Sequence, residues 1–344
     1  MPTDEQLEVV RRAVEWIEAN VEVRQSTSAE VLYDHMESQS AWQLAVIYVP
    51  FDTANRGHFV DRGQILDYAL LCGPGRVLDF GPGDGWPSLL MAPMVEEVIA
   101  VDGSQRRVEV CTRNAKRMGL GNASFVHVPP GERLPFEDAS FDGVTAASSV
   151  EQTPDAKATL RELCRVLKPG GRLRMHCESL NYYGTGHRSE LLVGERDGRG
   201  DLMVYDRHID EEYVDHYVLT FDLSEAETIA VFTRHGERPP NATAGVLADL
   251  KPHVTEAVTW RGRHPSCRTL LKWLPEVGFR SARATYDGGW FAERLFDRLP
   301  EERRPGEMEA VDEMLRPLVE VVVTMERPPA AAPGEWEPWV TAVK

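Results

Sequence analysis

Along the first residues, Leu7, Val10, Val14 and Ile17 recur at helical spacing, and Thr3 with Gln6 offers a capping box, so a helix is expected over 4–20. A second helix is expected after Ser28, then an apolar aromatic stretch from Trp42 to Phe51. A third should run over 57–71, ended by Gly73-Pro74-Gly75. From Arg76 the period changes. Short apolar runs at 77–80, 98–101, 124–128, 141–146 and 172–177 read as strands. Helical patterns follow Trp86, cover 106–118 before Gly119, and cover 156–167 before Pro169-Gly170-Gly171. Strands separated by helices imply a parallel sheet covered on both faces, joined by right-handed crossovers.

Residues 181–265 break this rhythm. A strand is expected over 213–223, a helix start at Ser224 with Glu227, and a loop at Arg238-Pro239-Pro240-Asn241. A block of this size after a core strand is expected to be a lid or a homodimer contact. The rhythm returns with a helix over 269–274 and a strand over 279–285. A long helix should then carry Met308, Val311, Leu315, Leu318, Val322 and Met325 on one face, kinked at Pro317, and a last strand lies at 339–343. Four segments result: an N-terminal helical cap (1–72), a core (73–180), an insertion or lid (181–265) and a completion of the α/β core (266–344).

Lys+Arg 38 against Asp+Glu 55 gives a net charge of −17, which argues against a nucleic-acid partner. No apolar run approaches the roughly 20 residues of a membrane span, and the acidic N-terminus is unlike a signal peptide. The 5 cysteines are scattered without metal-ligand spacing, as suits reduced thiols in the cytoplasm.

The most informative run is Val77-Leu78-Asp79-Phe80-Gly81-Pro82-Gly83-Asp84-Gly85. A buried strand there enters a turn whose glycines alternate, leaving bare backbone for a ligand. Asp102 closes the next apolar run, where an acid accepts from both hydroxyls of a ribose. With Arg133-Leu134-Pro135-Phe136-Glu137-Asp138-Ala139-Ser140-Phe141-Asp142 and Arg165-Val166-Leu167-Lys168-Pro169-Gly170-Gly171, these segments resemble the class I S-adenosylmethionine-dependent methyltransferases, in the branch that includes ubiquinone-biosynthesis-type small-molecule enzymes. The resemblance covers about 76–180. It implies a doubly wound, mostly parallel Rossmann-like α/β sheet. It also implies S-adenosyl-L-methionine as cofactor, S-adenosyl-L-homocysteine as product, and a small-molecule acceptor, as in specialised metabolism. On this basis Gly81, Gly83 and Gly85 underlie the methionine and ribose, and Asp79 lies near the amino group. Asp102 takes the ribose, Gly103 and Ser104 flank the adenine, and Ser148 and Ser149 offer backbone groups at the methionine end. The family commonly places an acid where this chain has Pro130, so Gly131 and Glu132 are the candidates there.

Transfer of a methyl from a sulfonium is an in-line displacement that needs positioning and, for an amine or hydroxyl acceptor, a base. Strand-end logic selects Glu151 and Glu178 as base candidates, with His58 on the helical preface; His35 lies there too. Tyr182, Tyr183 and Tyr48 are candidate substrate contacts. In 172–178, alternation places Arg172, Arg174, His176 and Glu178 on one face, so paired charges are expected beneath a helix or the insertion. His208 and His216, near Asp206, Asp210, Glu211 and Glu212, match no metal motif, and no metal is expected. Two other functions fit this type of fold: a nicotinamide-dependent oxidoreductase, and a protein that binds the same sulfonium but catalyses another reaction.

Overall fold

The computed structural model describes residues 4–34, 51–331 and 334–344. Thr3, His35, Tyr48 and almost all of the 42–51 stretch lie outside the described residues. α1 (Asp4–Asn20) buries Val10, Ala13, Val14 and Ile17 and leads into the short strand β1 (Arg24–Gln25). After Ser28 the described residues form a π-helical turn, Ala29–Tyr33. α2 (Arg56–Cys72) starts on Asn55, whose side chain accepts from the Gly57 N–H. Then come β2 (Arg76–Phe80), α3 (Ser88–Met91), β3 (Glu97–Asp102), α4 (Gln105–Met118) and β4 (Ala123–His127). β5 (Phe141–Ala147), α5 (Ala156–Val166) and β6 (Leu167–His176) complete the first run. The insertion contributes β7 (His187–Arg196), β8 (Arg199–His208), β9 (Tyr213–Phe221), α6 (Glu225–Arg234), α7 (Ala244–Leu250) and β10 (Val254–Arg263). α8 (Cys267–Glu276), β11 (Ser281–Thr285), α9 (Gly288–Arg298), α10 (Met308–Val322) and β12 (Trp339–Val343) return to the core.

Among the described residues the large sheet has 7 strands in the order β11-β12-β6-β5-β2-β3-β4. β4, β3, β2, β5 and β6 are parallel, and β12 runs antiparallel between β6 and β11. This is the expected doubly wound, mostly parallel α/β sheet. Strand order reverses between β2 and β5, which opens a crevice outside their carboxyl ends. Leu78, Val144, Ala146, Leu173 and Met175 are buried with Leu160 and Leu163 of α5 and Leu270 and Leu274 of α8. Val77 and Val98 pack with Ile65 and Tyr68 of α2 and Met91 of α3.

The polar face of β6 is resolved beneath a helix, as alternation suggests. Arg174 is fully buried and donates to both carboxylate oxygens of Asp67 on α2, at 2.8 and 2.7 Å. It also donates to the Thr285 and Thr341 hydroxyls, and Asp67 accepts the Gly288 N–H at 2.9 Å. α2 and α9 meet closely here: a Cβ on Gly63 would lie 2.3 Å from the Gly288 carbonyl oxygen. Both helices are thereby fixed beside the crevice.

The second sheet has 5 strands in the order β1-β10-β9-β8-β7, with β1 parallel to β10 and the others antiparallel. Leu191, Leu202, Val204 and Leu219 pack against α1, α6 and α7, and the opposite face gathers Val31, Val218, Val258 and Trp260. So the first described segment packs with the insertion, and α2 packs with the large sheet. In α10 the buried stripe is Val311, Leu315, Val319 and Val322, whereas Leu318 and Met325 are 39% and 48% exposed. That corrects the expected face. A period of 3.6 residues puts Val319, four after Leu315, on the inner side.

Candidate functional site

The loop after β2 is shaped by its glycines. Gly81, Gly83 and Gly85 all have positive φ, at 75°, 58° and 114°. A Cβ on Gly81 would lie 2.4 Å from that of Ser149, while one on Gly83 would meet nothing within 4 Å. Side chains of α4 hold the loop from behind, through Cys111 Sγ to the Gly83 carbonyl (3.2 Å) and Asn114 Nδ2 to that of Asp84 (3.4 Å). The result is a backbone cradle at the switch point.

Two aspartates frame it differently. Asp79 is fully buried under the loop, where its oxygens accept from the Ser88 and Thr145 hydroxyls. Burial pushes its carboxyl up to about 7, against the lowering effect of those hydroxyls. Its side chain thus ties β2 to α3 and β5. Asp102, at the end of β3, accepts the Gly83 N–H at 3.2 Å and the Ser104 N–H at 2.8 Å, one on each oxygen. Each oxygen keeps a further lone pair for a hydroxyl donor. Burial raises this carboxyl to about 6.

The segment 26–34 roofs the crevice. The Ser28 hydroxyl donates to the Gln152 carbonyl, and Ser104 Oγ donates to Asp34. A Cβ on Gly103 would touch both Pro130 and Ala29, at 3.0 and 3.2 Å. Tyr33 stands over the Arg107 guanidinium, 5.9 Å from ring centre to Cζ. Burial, helped by Glu151 and Asp102, pushes its phenol up to about 12. Nothing in the sequence pattern singled out Tyr33 or Arg107. The π-turn brings them to the site from 70 or more positions apart. Gly131, with φ 85°, and Glu132 lie in the exposed loop beside Pro130 at the same rim.

Beyond the ends of β5 and β6 lies a cavity of about 950 Å³. Ser148, His176, Cys177, Glu178, Ser179 and Tyr182 form its floor. Val60 and Gln64 of α2, Trp290 and Arg294 of α9, and residues 327–331 and 334–337 form its walls. Ser148 donates its N–H to the His176 carbonyl, and Ser149 donates its hydroxyl to the Phe80 carbonyl beside the glycine loop. Crevice and cavity therefore share the Ser148–Ser149 step. His176 stacks on Trp339 at 4.6 Å, with Nδ1 3.1 Å from the Tyr68 hydroxyl. Burial, with Arg174 adding to it, lowers its imidazole to about 4. Tyr182 stacks on Trp336 at 4.6 Å, making an aromatic wall that sequence reading half anticipated.

The candidate bases separate. Glu178 is exposed on the cavity floor and accepts from the Tyr183 hydroxyl at 3.1 Å. Glu151 is fully buried: one oxygen accepts the Glu178 N–H at 2.7 Å, the other finds no partner among the described residues, and burial raises its carboxyl. His58 accepts the Asp52 N–H at 2.8 Å and lies outside the cavity lining. Tyr183 turns from the cavity to the Arg207 guanidinium, 4.4 Å from its ring.

Residues 78–175 match the methyltransferase domain family. An uncharacterized methyltransferase, YcgJ of Bacillus subtilis (strain 168), is 38% identical over 112 residues, 33% of this chain and 44% of that protein. The 27-O-demethylrifamycin SV methyltransferase of Amycolatopsis mediterranei (strain S699) is 34% identical over 101 residues, 29% of this chain and 37% of that protein. The core is a class I S-adenosylmethionine-dependent methyltransferase domain. The matches span less than half the length of these two relatives. Among solved structures, the CcbJ methyltransferase of Streptomyces caelestis aligns over 83% of this chain and 94% of its own, with 14% identity and a TM-score of 0.46. The methyltransferase domain supplies the glycine loop, Asp102 and the Ser148–Glu151 step. The roof and the far cavity wall lie outside the matched segment.

Proposed function

We propose that this protein transfers a methyl group from S-adenosylmethionine to an O, N or C atom of a small organic acceptor held in the 950 Å³ cavity. The observation that carries the reading is the shared Ser148–Ser149 step, which sets an adenosyl crevice directly against an aromatic-lined open cavity. The residues suit the cofactor. Gly83 leaves the loop bare, Asp102 has acceptor capacity for two hydroxyls, and two buried groups await partners: the Trp86 indole N–H beside Gly85 and one oxygen of Glu151. When bound, the sulfonium supplies an electrophilic methyl and a neutral leaving group.

The chain does the rest. Asp102 and the loop orient the adenosine, and Tyr33 with Ala29 excludes water from above. Tyr182, Trp336 and Trp290 flank the acceptor, which favours a partly apolar ring system. Glu178 is the base that takes the acceptor proton, and the Tyr183 hydroxyl fixes its carboxylate. A net charge of −17 speaks against a nucleic-acid partner. No helix among the described residues is long and apolar enough to cross a membrane. The free cysteines fit a reducing compartment, and we place the protein in the cytoplasm.

The test is Asp102→Ala with tryptophan fluorescence, using the 8 native tryptophans. Wild type should bind S-adenosylmethionine saturably and release S-adenosylhomocysteine with an acceptor; the variant should lose cofactor uptake. Equal uptake by the variant, or saturable binding of NAD alone, overturns the reading.

A further inference from the structure

The insertion sheet carries a polar cluster that the methyl-transfer reading does not use. In the hairpin β7–β8, His187 pairs directly with His208, and Ser189 with Asp206. Side chains two apart share a face, so both histidines and the aspartate converge at the open end of the hairpin. His187 Nε2 lies 2.5 Å from Asp206 Oδ1, and His208 Nε2 lies 3.3 Å from Asp206 Oδ2. The ligand-capable atoms of all three fall within 4.8 Å of one another. The two imidazoles stack at 4.5 Å.

We propose that His187, Asp206 and His208 form a binding site for a divalent transition metal, with zinc as the fitting ion, which clamps the open end of the insertion hairpin.

Two imidazoles and one carboxylate are the donor set that borderline metals such as zinc favour. The surroundings are those of a supported site. The Ser189 hydroxyl donates to Asp206 Oδ1 at 2.6 Å and orients the carboxylate. Tyr213 stacks on His208 at 4.3 Å and fixes its ring. Asp206 is nearly buried, whereas His187 is 39% exposed and gives an ion an entry path. Without a metal, one carboxylate serves two stacked imidazoles. A bound cation uses all three groups at once. The single-histidine pairs His235–Asp249 and His253–Asp222 elsewhere in the insertion lack this convergence.

The clamp sits where it has leverage. The Ile209 N–H donates to the Gly186 carbonyl and the Gly186 N–H to Asp210, which closes the hairpin next to the Tyr182–Tyr183 segment. The same end carries Glu212, whose carbonyl accepts the His264 N–H, and His264 Nδ1 lies 2.8 Å from the Glu178 carbonyl. The ion's role is to hold the open end of the hairpin beside the Tyr182–Tyr183 segment; none of its three ligands lines the cavity.

The experiment uses the full chain, freed of any affinity tag and stripped with chelator. Co(II) titration should give a visible absorption spectrum that saturates at one ion per chain and is displaced by Zn(II). Zn(II) should also raise the melting temperature, because it binds only the folded hairpin. His187→Ala, at the surface and safe for folding, should weaken binding by more than the roughly 10–100-fold that loss of an outer partner costs. His208→Ala should do the same, and His235→Ala should change nothing. Absence of a saturable Co(II) spectrum in wild type, or an unchanged one in H187A, overturns the site. Because the readout is metal binding, it stands or falls independently of methyl transfer.

Discussion

The large sheet and the insertion sheet assemble polar sites by opposite routes. In the large sheet the functional groups come from short consecutive runs at strand ends: the 81–85 loop, Asp102 to Ser104, and Ser148 to Glu151. Within each run the geometry is set by positive φ and by short backbone hydrogen bonds, and neighbouring parallel strands join the runs through the Gly83 N–H to Asp102 and the Ser149 hydroxyl to the Phe80 carbonyl. In the insertion sheet, His187 and Asp206 are 19 positions apart and meet only because the hairpin holds one register. A one-residue slip of β8 would turn Asp206 and His208 away from His187. The large-sheet site joins short runs across parallel strands, whereas the insertion cluster is built entirely across one antiparallel pair.

That contrast is open to test. The largest effect belongs to Glu178 at the end of β6. Glu178→Gln should lower kcat about 10²–10⁴-fold and leave cofactor affinity unchanged, whereas Glu190→Gln on β7 should leave both alone. Equal losses would erase the functional division between the sheets. Next come the ion pairs. Arg174→Ala strands Asp67 in the core and should cost about 3–5 kcal/mol in urea unfolding. Arg261→Ala in the insertion, whose side chain is 60% exposed beside Asp215, should cost about 1 kcal/mol or less.

A third test follows from Asp79. Burial raises its folded pKa to about 7, above the model-peptide value of 3.8. The folded state therefore holds a proton that the unfolded chain has released, so this group's stabilising effect is full below about 4 and is lost as pH rises through 7. Asp79→Asn should flatten the decline in melting temperature between about pH 4 and 7 relative to wild type; parallel curves would refute the assignment. The smallest effect is at the capping box of α6, where Ser224 accepts the Glu227 N–H and Glu227 accepts the Ser224 N–H. Ser224→Ala should cost about 1 kcal/mol.

Much of the large sheet was legible before the structure. Strand positions from β2 to β5, the Gly119 stop of α4 and the capping box at Ser224 follow from local chemistry, whereas β6 begins at Leu167, five residues before the expected start, and runs through Pro169-Gly170-Gly171. The polar face of β6 also announced itself, because an arginine in a central strand demands a partner, and Asp67 supplies it. The rest is nonlocal. α9 escaped notice because its key residues, Gly288 and Gly289, look like a loop; they are glycines so that the helix can press against α2. Tyr33 reaches the crevice by a turn that no period marks, and Trp336 joins Tyr182 only through the fold. His208 and His216, adjacent in sequence reading, diverge: His216 stacks on Trp260 at 4.6 Å while His208 meets His187.

The pairing of Arg24–Gln25 with β10 has an architectural consequence. The opening stretch of the chain and the block inserted more than 150 positions later are stitched into one sheet, with α1 sealed into its apolar layer. They therefore form a single exchangeable module, although the sequence splits it in two. Grafting a different insertion onto this scaffold would require transplanting both pieces together, and trimming the leading segment would strip the insertion sheet of an edge strand and a helix of its apolar layer.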